Sequence, residues 1–132
     1  MFIRNLSSAE PFHTKDGSII RSLLDLSCAP VQLQSLAEAT LPAGLATTRH
    51  RHAQTEEFYY VTQGTGVMEI DGEIRTVVVG DACLMPAGSV HQIYNPGPAE
   101  LKILCCCAPP YSHEDTILME DGPAVANRGK NT

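Results

Sequence analysis

Short runs rich in Val, Ile, Leu, Thr and Tyr recur about every ten residues along this chain, separated by Gly, Pro, Asn and Asp. They lie at 19–26, 31–41, 45–52, 57–63, 66–71, 73–79, 82–85, 90–95 and 100–107. Strands this short and this regularly punctuated suit a sandwich or barrel, so the expected class is all-β. The stretch "MEIDGEIR" is the clearest local signal, because Asp71-Gly72 can take the positive φ angles of a two-residue type I′ hairpin. The run at 19–26 also has the apolar spacing of a helical turn, and "HEDTILME", 113–120, reads as helical.

A chain of 132 residues is one domain's worth of sequence. We assign the domain to 1–121, with a barrel core at about 18–107, and read 122–132, "GPAVANRGKNT", as a flexible tail. A formal net charge of -6 argues against the attraction to phosphate on which non-specific nucleic-acid binding depends. Neither nucleic acid nor membrane is an expected partner, since the start lacks a secretory apolar core and no run reaches the roughly 18 apolar residues of a span. The five cysteines, with Cys105, Cys106 and Cys107 in a row, make a poor disulfide framework and fit reduced thiols in the cytoplasm.

The chemistry concentrates in "TTRHRHAQTEEFYYVTQG", residues 47–64. On a strand His50 and His52 point to one face and Arg49 and Arg51 to the other, which makes half a metal site. Glu57 follows His52 at an odd offset, so the chain must turn or bulge through "AQT" for one sheet face to present all three. In "GDACLMPAGSVHQIYN", residues 80–95, a turn at Pro86–Gly88 aims His91 at the start of a strand.

Together these stretches carry a resemblance. Gly44, His50, His52, Glu57 and Gly64, in the pattern G-x5-H-x-H-x4-E-x6-G, resemble the first motif of the cupin superfamily. Gly80, Pro86, Gly88, His91 and Asn95, in the pattern G-x5-P-x-G-x2-H-x3-N, are similar to its second motif. The resemblance implies a double-stranded β-helix, a jelly-roll barrel, with short extensions at each end. It also implies one divalent transition metal bound by His50, His52, Glu57 and His91. Three imidazoles and one carboxylate suit Fe, Mn, Ni, Co or Zn better than calcium or magnesium.

Glu56 competes with Glu57 as the carboxylate, but strand parity and the count back from Gly64 favour Glu57. The same parity turns Tyr59 inward, either as a catalytic group that positions substrate or moves a proton, or as a buried tyrosine bonded to backbone. Phe58 and Tyr60 then face outward, which suits a homodimer contact or packing under the N-terminal segment. Cys105 and Cys107 share one face and Cys106 the other, for packing or for contact with substrate at the open end. His13 and His113 lack partners at ligand spacing. The segment 109–116 either stays on the surface or folds over the barrel mouth with Tyr111 or His113 reaching in. The function expected is metal-dependent chemistry on a small-molecule substrate in the barrel, most of all dioxygenase-type oxidoreductase chemistry. The alternatives are an isomerase or lyase, or a non-catalytic binding or sensing protein.

Overall fold

Strand alternation sorts the described residues, 1–119 of a computed structural model, into two antiparallel sheets. The first holds, in spatial order, β1 (Phe12–His13), β2 (Ile19–Leu24), β3 (Ser35–Leu41), β10 (Leu101–Ala108), β5 (Glu56–Gln63) and β8 (Ala82–Met85). The second holds β11 (Thr116–Leu118), β4 (His50–His52), β9 (His91–Tyr94), β6 (Thr65–Ile70) and β7 (Glu73–Val78). Strands distant in sequence lie side by side, as β3 and β5 do on either side of β10, and the result is the jelly-roll barrel expected. Apart from one 3-10 turn at Leu6–Ser8, no helix forms among the described residues. None there is long and apolar enough to cross a membrane.

Strand β5 shows how sequence becomes sheet. Glu57, Tyr59 and Val61 are buried, while Glu56, Phe58 and Tyr60 are exposed. Strand β10 repeats the alternation with Leu101, Ile103, Cys105 and Cys107 inward. The register sets Val61 opposite Ile103, Tyr59 opposite Cys105 and Glu57 opposite Cys107, so the two inward faces coincide. The interior is therefore graded. Val61, Met68, Met85, Ile93, Leu101 and Ile103, none more than 3% exposed, form an aliphatic core. Each contributes roughly 1.5–3 kcal/mol by leaving water. Further along the same strands the inward positions become Glu57 and the histidines.

Turns fix where each strand starts. Asp71 and Gly72 have φ of 48° and 85°, the type I′ geometry read from the sequence. The hairpin tip also reaches a neighbour: Asp71 N–H donates to Val90 O, and Val90 N–H donates to Asp71 Oδ1, both at 2.8 Å. That pair pins the residue just before His91.

Three expectations need correction. The segment 113–120 is not helical over its described part: Thr116–Leu118 form β11, with Thr116 opposite His52 on β4. Pairing with a distant strand outweighs the local periodicity there, and Asp115 adds to it by accepting from the backbone N–H groups of Gln54 and Thr55. The run at 19–26 forms the strand expected, over Ile19–Leu24, with β1 and β3 flanking it. The run at 45–52 is a strand only over His50–His52, preceded by an isolated bridge from Ala46 to Tyr94. The run at 31–41 becomes a strand at Ser35. The tail placed at 122–132 lies outside the described residues.

Gly64 joins β5 to β6 with φ of 82°, and a Cβ there would come within 2.6 Å of Glu100 O. Gly44 has a similar φ of 83° but open space around it. An alanine in the left-handed region costs about 1–2 kcal/mol from backbone strain alone. Gly64→Ala should therefore destabilise the protein clearly more than Gly44→Ala in urea unfolding, since only Gly64 adds a backbone clash. Equal losses would contradict the close approach of Gly64 to Glu100.

Candidate metal centre

Four side chains from three strands meet inside the barrel. His50 and His52 project from β4, and His91 projects from β9, directly opposite His50 in the register. Glu57 comes from β5, in the facing sheet. The turn through Ala53–Thr55 thus carries the chain from one sheet to the other, and Glu57 does not share a sheet face with the histidines as the sequence suggested. All four residues are buried, and one ligand atom from each lies within 4.8 Å of the others. His52 Nε2 is 3.2 Å and His91 Nε2 3.4 Å from Glu57 Oε1. Two ligands on one ion at the usual 2.0–2.2 Å would lie roughly this far apart.

The outer ring nitrogens decide what the inner ones offer. His50 Nδ1 donates to Thr48 O at 2.7 Å, and His91 Nδ1 donates to Ser89 O at 3.2 Å, because a carbonyl can only accept. His52 Nδ1 lies 3.2 Å from Thr116 Oγ1, whose own hydrogen goes to Ser112 O, so here too the ring nitrogen donates. In the neutral imidazoles each Nε2 is then a bare lone pair aimed inward. Glu57 Oε2 accepts from Cys107 Sγ at 3.3 Å, which leaves Oε1 facing the same space. Acceptors converge with no donor among them, and both Glu57 Oε1 and His91 Nε2 are buried without a hydrogen-bond partner. Buried polar groups are rarely left so. A divalent ion would satisfy all of them, and the nitrogen-rich set fits a transition metal.

Ionisation favours the same reading. Burial, and after it the neighbouring His91, holds the His50 imidazole down at about 4, so it is neutral at physiological pH. Burial pushes the Glu57 carboxyl up, and positive charge on the Nε2 side of His52 and His91 outweighs it and holds it at about 2; with the ring protons on Nδ1, a divalent ion is what would supply that charge. Burial first, and Glu57's charge second, raise Tyr59, Cys105 and Cys107 above their ordinary values. All three keep their protons, and Cys107 donates its to Glu57 Oε2.

The other residues singled out in the sequence divide clearly. Tyr59 is 5% exposed and lines the cavity, its ring centroid 6.0 Å from that of His91. Cys105 and Cys107 also line it, and Cys106 faces out. Glu56 is exposed, as are His13 and His113. Tyr111 does reach in, its ring 6.1 Å from that of His52. Asp16 went unnoticed: its Oδ2 is 3.6 Å from His50 Nε2 and its side chain is only 13% exposed. In the sequence it is part of "TKDGS", which reads as a surface turn.

Comparison with known proteins agrees with this geometry. The family model described as a cupin domain matches residues 37–107. An uncharacterized protein of Methanocaldococcus jannaschii is 49% identical over 111 residues, 84% of this chain and 89% of that one. Among solved structures the chain is similar to a predicted oxalate decarboxylase from Thermotoga maritima, with 25% identity and a TM-score of 0.70 over 90% of this chain and all of that one. It is also similar in fold to the nucleoside dehydratase Pac13 of Streptomyces, with 13% identity and a TM-score of 0.73 over 90% of this chain and 91% of that one.

The two glutamates can be separated in solution. Glu57→Gln removes the anionic oxygen from the cluster and should weaken divalent-metal binding by more than the roughly 10–100-fold that loss of an outer partner costs. Glu56→Gln, on the solvent side of the same strand, should leave the affinity unchanged. A metal titration showing the larger loss at Glu56 would place the strand in the wrong register.

Proposed function

The chain belongs to the cupin family, and from that premise we propose that it is a metal-dependent enzyme acting on a small organic molecule inside its barrel. The observation that carries this reading is the convergence of His50, His52, Glu57 and His91, with Glu57 Oε1 and His91 Nε2 buried and without a hydrogen-bond partner among the described residues. His50, His52 and Glu57 line a cavity of about 60 Å³, which limits an occupant to a small molecule.

A divalent ion bound there supplies Lewis-acid polarisation of a substrate oxygen or a path for electrons to O₂. The chain's own contribution is positional. The carbonyls of Thr48 and Ser89 and the hydroxyl of Thr116 fix the three rings, so the ligand set needs no rearrangement. Tyr59, kept as a phenol by burial, offers a proton to a substrate oxygen rather than taking one. Ile93, Ile103 and Leu41 give the pocket a wall that excludes water.

Dioxygenase-type oxidoreductase chemistry is the first reading of the reaction, because it asks of the chain only such a dry pocket beside a metal with open positions. The isomerase or lyase reading has one observation in its favour. Asp16 presents Oδ2 beside His50, while its Oδ1 is held by Thr14 Oγ1, Ser18 N–H and Ser18 Oγ. A fixed carboxylate next to the metal position can take a proton from a bound substrate.

A screen of small carbonyl and enol compounds on metal-loaded protein, with and without O₂, tests the proposal. Turnover coupled to O₂ uptake, lost on metal removal, is the expected result. Turnover that continues without O₂ and stops with Asp16→Asn would replace oxygenase chemistry by proton transfer. Conversion unaffected by removing the metal would overturn the proposal.

A further inference from the structure

The cavity is acidic in charge and apolar in surface. Its lining includes the carboxylates of Asp16, Asp25 and Glu57 and, among the described residues, no Arg or Lys. Asp25 accepts from Ser22 Oγ, Ser27 N–H, Ser27 Oγ and Cys28 N–H, and is anionic within that ring of donors. The rest of the wall joins aliphatic side chains such as Ile20, Leu36, Ile93 and Ile103 to uncharged Ser and Thr hydroxyls.

Charge balance follows directly. Glu57 and Asp16 together cancel the two positive charges of a divalent ion. Size does not discriminate between a compact dicarboxylate and a compact diketone built on the same carbon frame. Charge does. With Asp25 counted as well, the pocket is one charge negative even with the ion in place, and a dianion would find no guanidinium or ammonium there and would lie near Asp16. Repulsion between unit charges about 4 Å apart is worth from roughly fivefold in affinity with water between them to roughly a thousandfold at the dielectric typical near a protein surface.

Building on the metal-centre reading, we infer that this pocket selects a small oxygen-chelating molecule of low charge with an apolar body, such as a diketone or hydroxyketone. It rejects the dicarboxylate of the same shape, and Asp16 is the residue that sets the preference. The fold similarity to a predicted oxalate decarboxylase therefore does not extend to a dianionic substrate.

Acetylacetone and malonate are a suitable probe pair. Each holds two oxygen donors on the same three-carbon frame, and methyl groups in the first replace charged oxygens in the second. Protein loaded with cobalt(II) reports ligand binding through its visible absorption, independently of turnover. Affinities are taken relative to each ligand's affinity for free cobalt(II). On this scale the native protein should prefer acetylacetone by about tenfold or more. Asp16→Asn keeps an oxygen for the Thr14 and Ser18 donors, and should tighten malonate about tenfold while barely changing acetylacetone. Preference for malonate on the native protein overturns the inference, and that comparison needs no variant. A malonate affinity that ignores Asp16→Asn, in variant protein that still binds cobalt, removes Asp16 from it. If cobalt produces no bound spectrum at all, the metal-centre reading itself fails, and this inference with it.

Discussion

Lone pairs buried face to face repel one another unless something positive lies between them. In this barrel His50, His52, His91 and Glu57 are held in that arrangement by the fold. Each imidazole is locked from behind by an oxygen acceptor, so none can turn its N–H inward without losing a bond. The acceptors belong to the backbone or to strands already committed to pairing. The cluster is thus a property of the fold as a whole, and a cation is the simplest way to make it stable.

Several features that look unrelated serve this constraint. The hairpin at Asp71-Gly72 bonds Val90 in both directions and sets the residue ahead of His91. The turn at 86–89 donates Gly88 N–H to His52 O at 2.7 Å, tying the loop before His91 to the strand that carries the other two histidines. On the outward face of β4's approach, Arg49 pairs with the buried Glu69 of β6 at 2.8 Å, which anchors the strand from its other side. Behind the cluster the aliphatic core supplies the stability that a row of buried polar groups does not. Cys107 belongs to the same scheme: its thiol donates to the outer oxygen of Glu57 and leaves the inner one for the centre.

How much of this could be read from the sequence depends on whether the cause is local. The spacing of His50, His52, Glu57 and His91, and the period-two alternation of β5, are local patterns, and the structure brings these residues together as the motifs suggest. Asp71-Gly72 was legible because its positive φ is a property of two residues. What was missed depends on pairing across long sequence distances. The stretch around Thr116 has weak helical periodicity of its own, and only β4, more than sixty residues away, makes it a strand and makes Thr116 the partner of His52. The same applies to Asp16, whose Asp-Gly turn looks like surface until β1 and β2 carry it over the barrel mouth beside His50. Glu57's parity was readable, but not that the turn before it changes sheets.

X-ray absorption at the metal edge of the loaded protein tests the central claim most directly, because it counts ligand types without reference to activity. The account predicts a first shell of nitrogen and oxygen at about 2.0–2.2 Å, with the outer scattering of three imidazole rings and no sulfur. A sulfur shell near 2.3 Å would contradict it, since it would mean that Cys105 or Cys107 binds the ion as thiolate in place of the carboxylate and imidazoles. Scattering from fewer than three rings would contradict it equally.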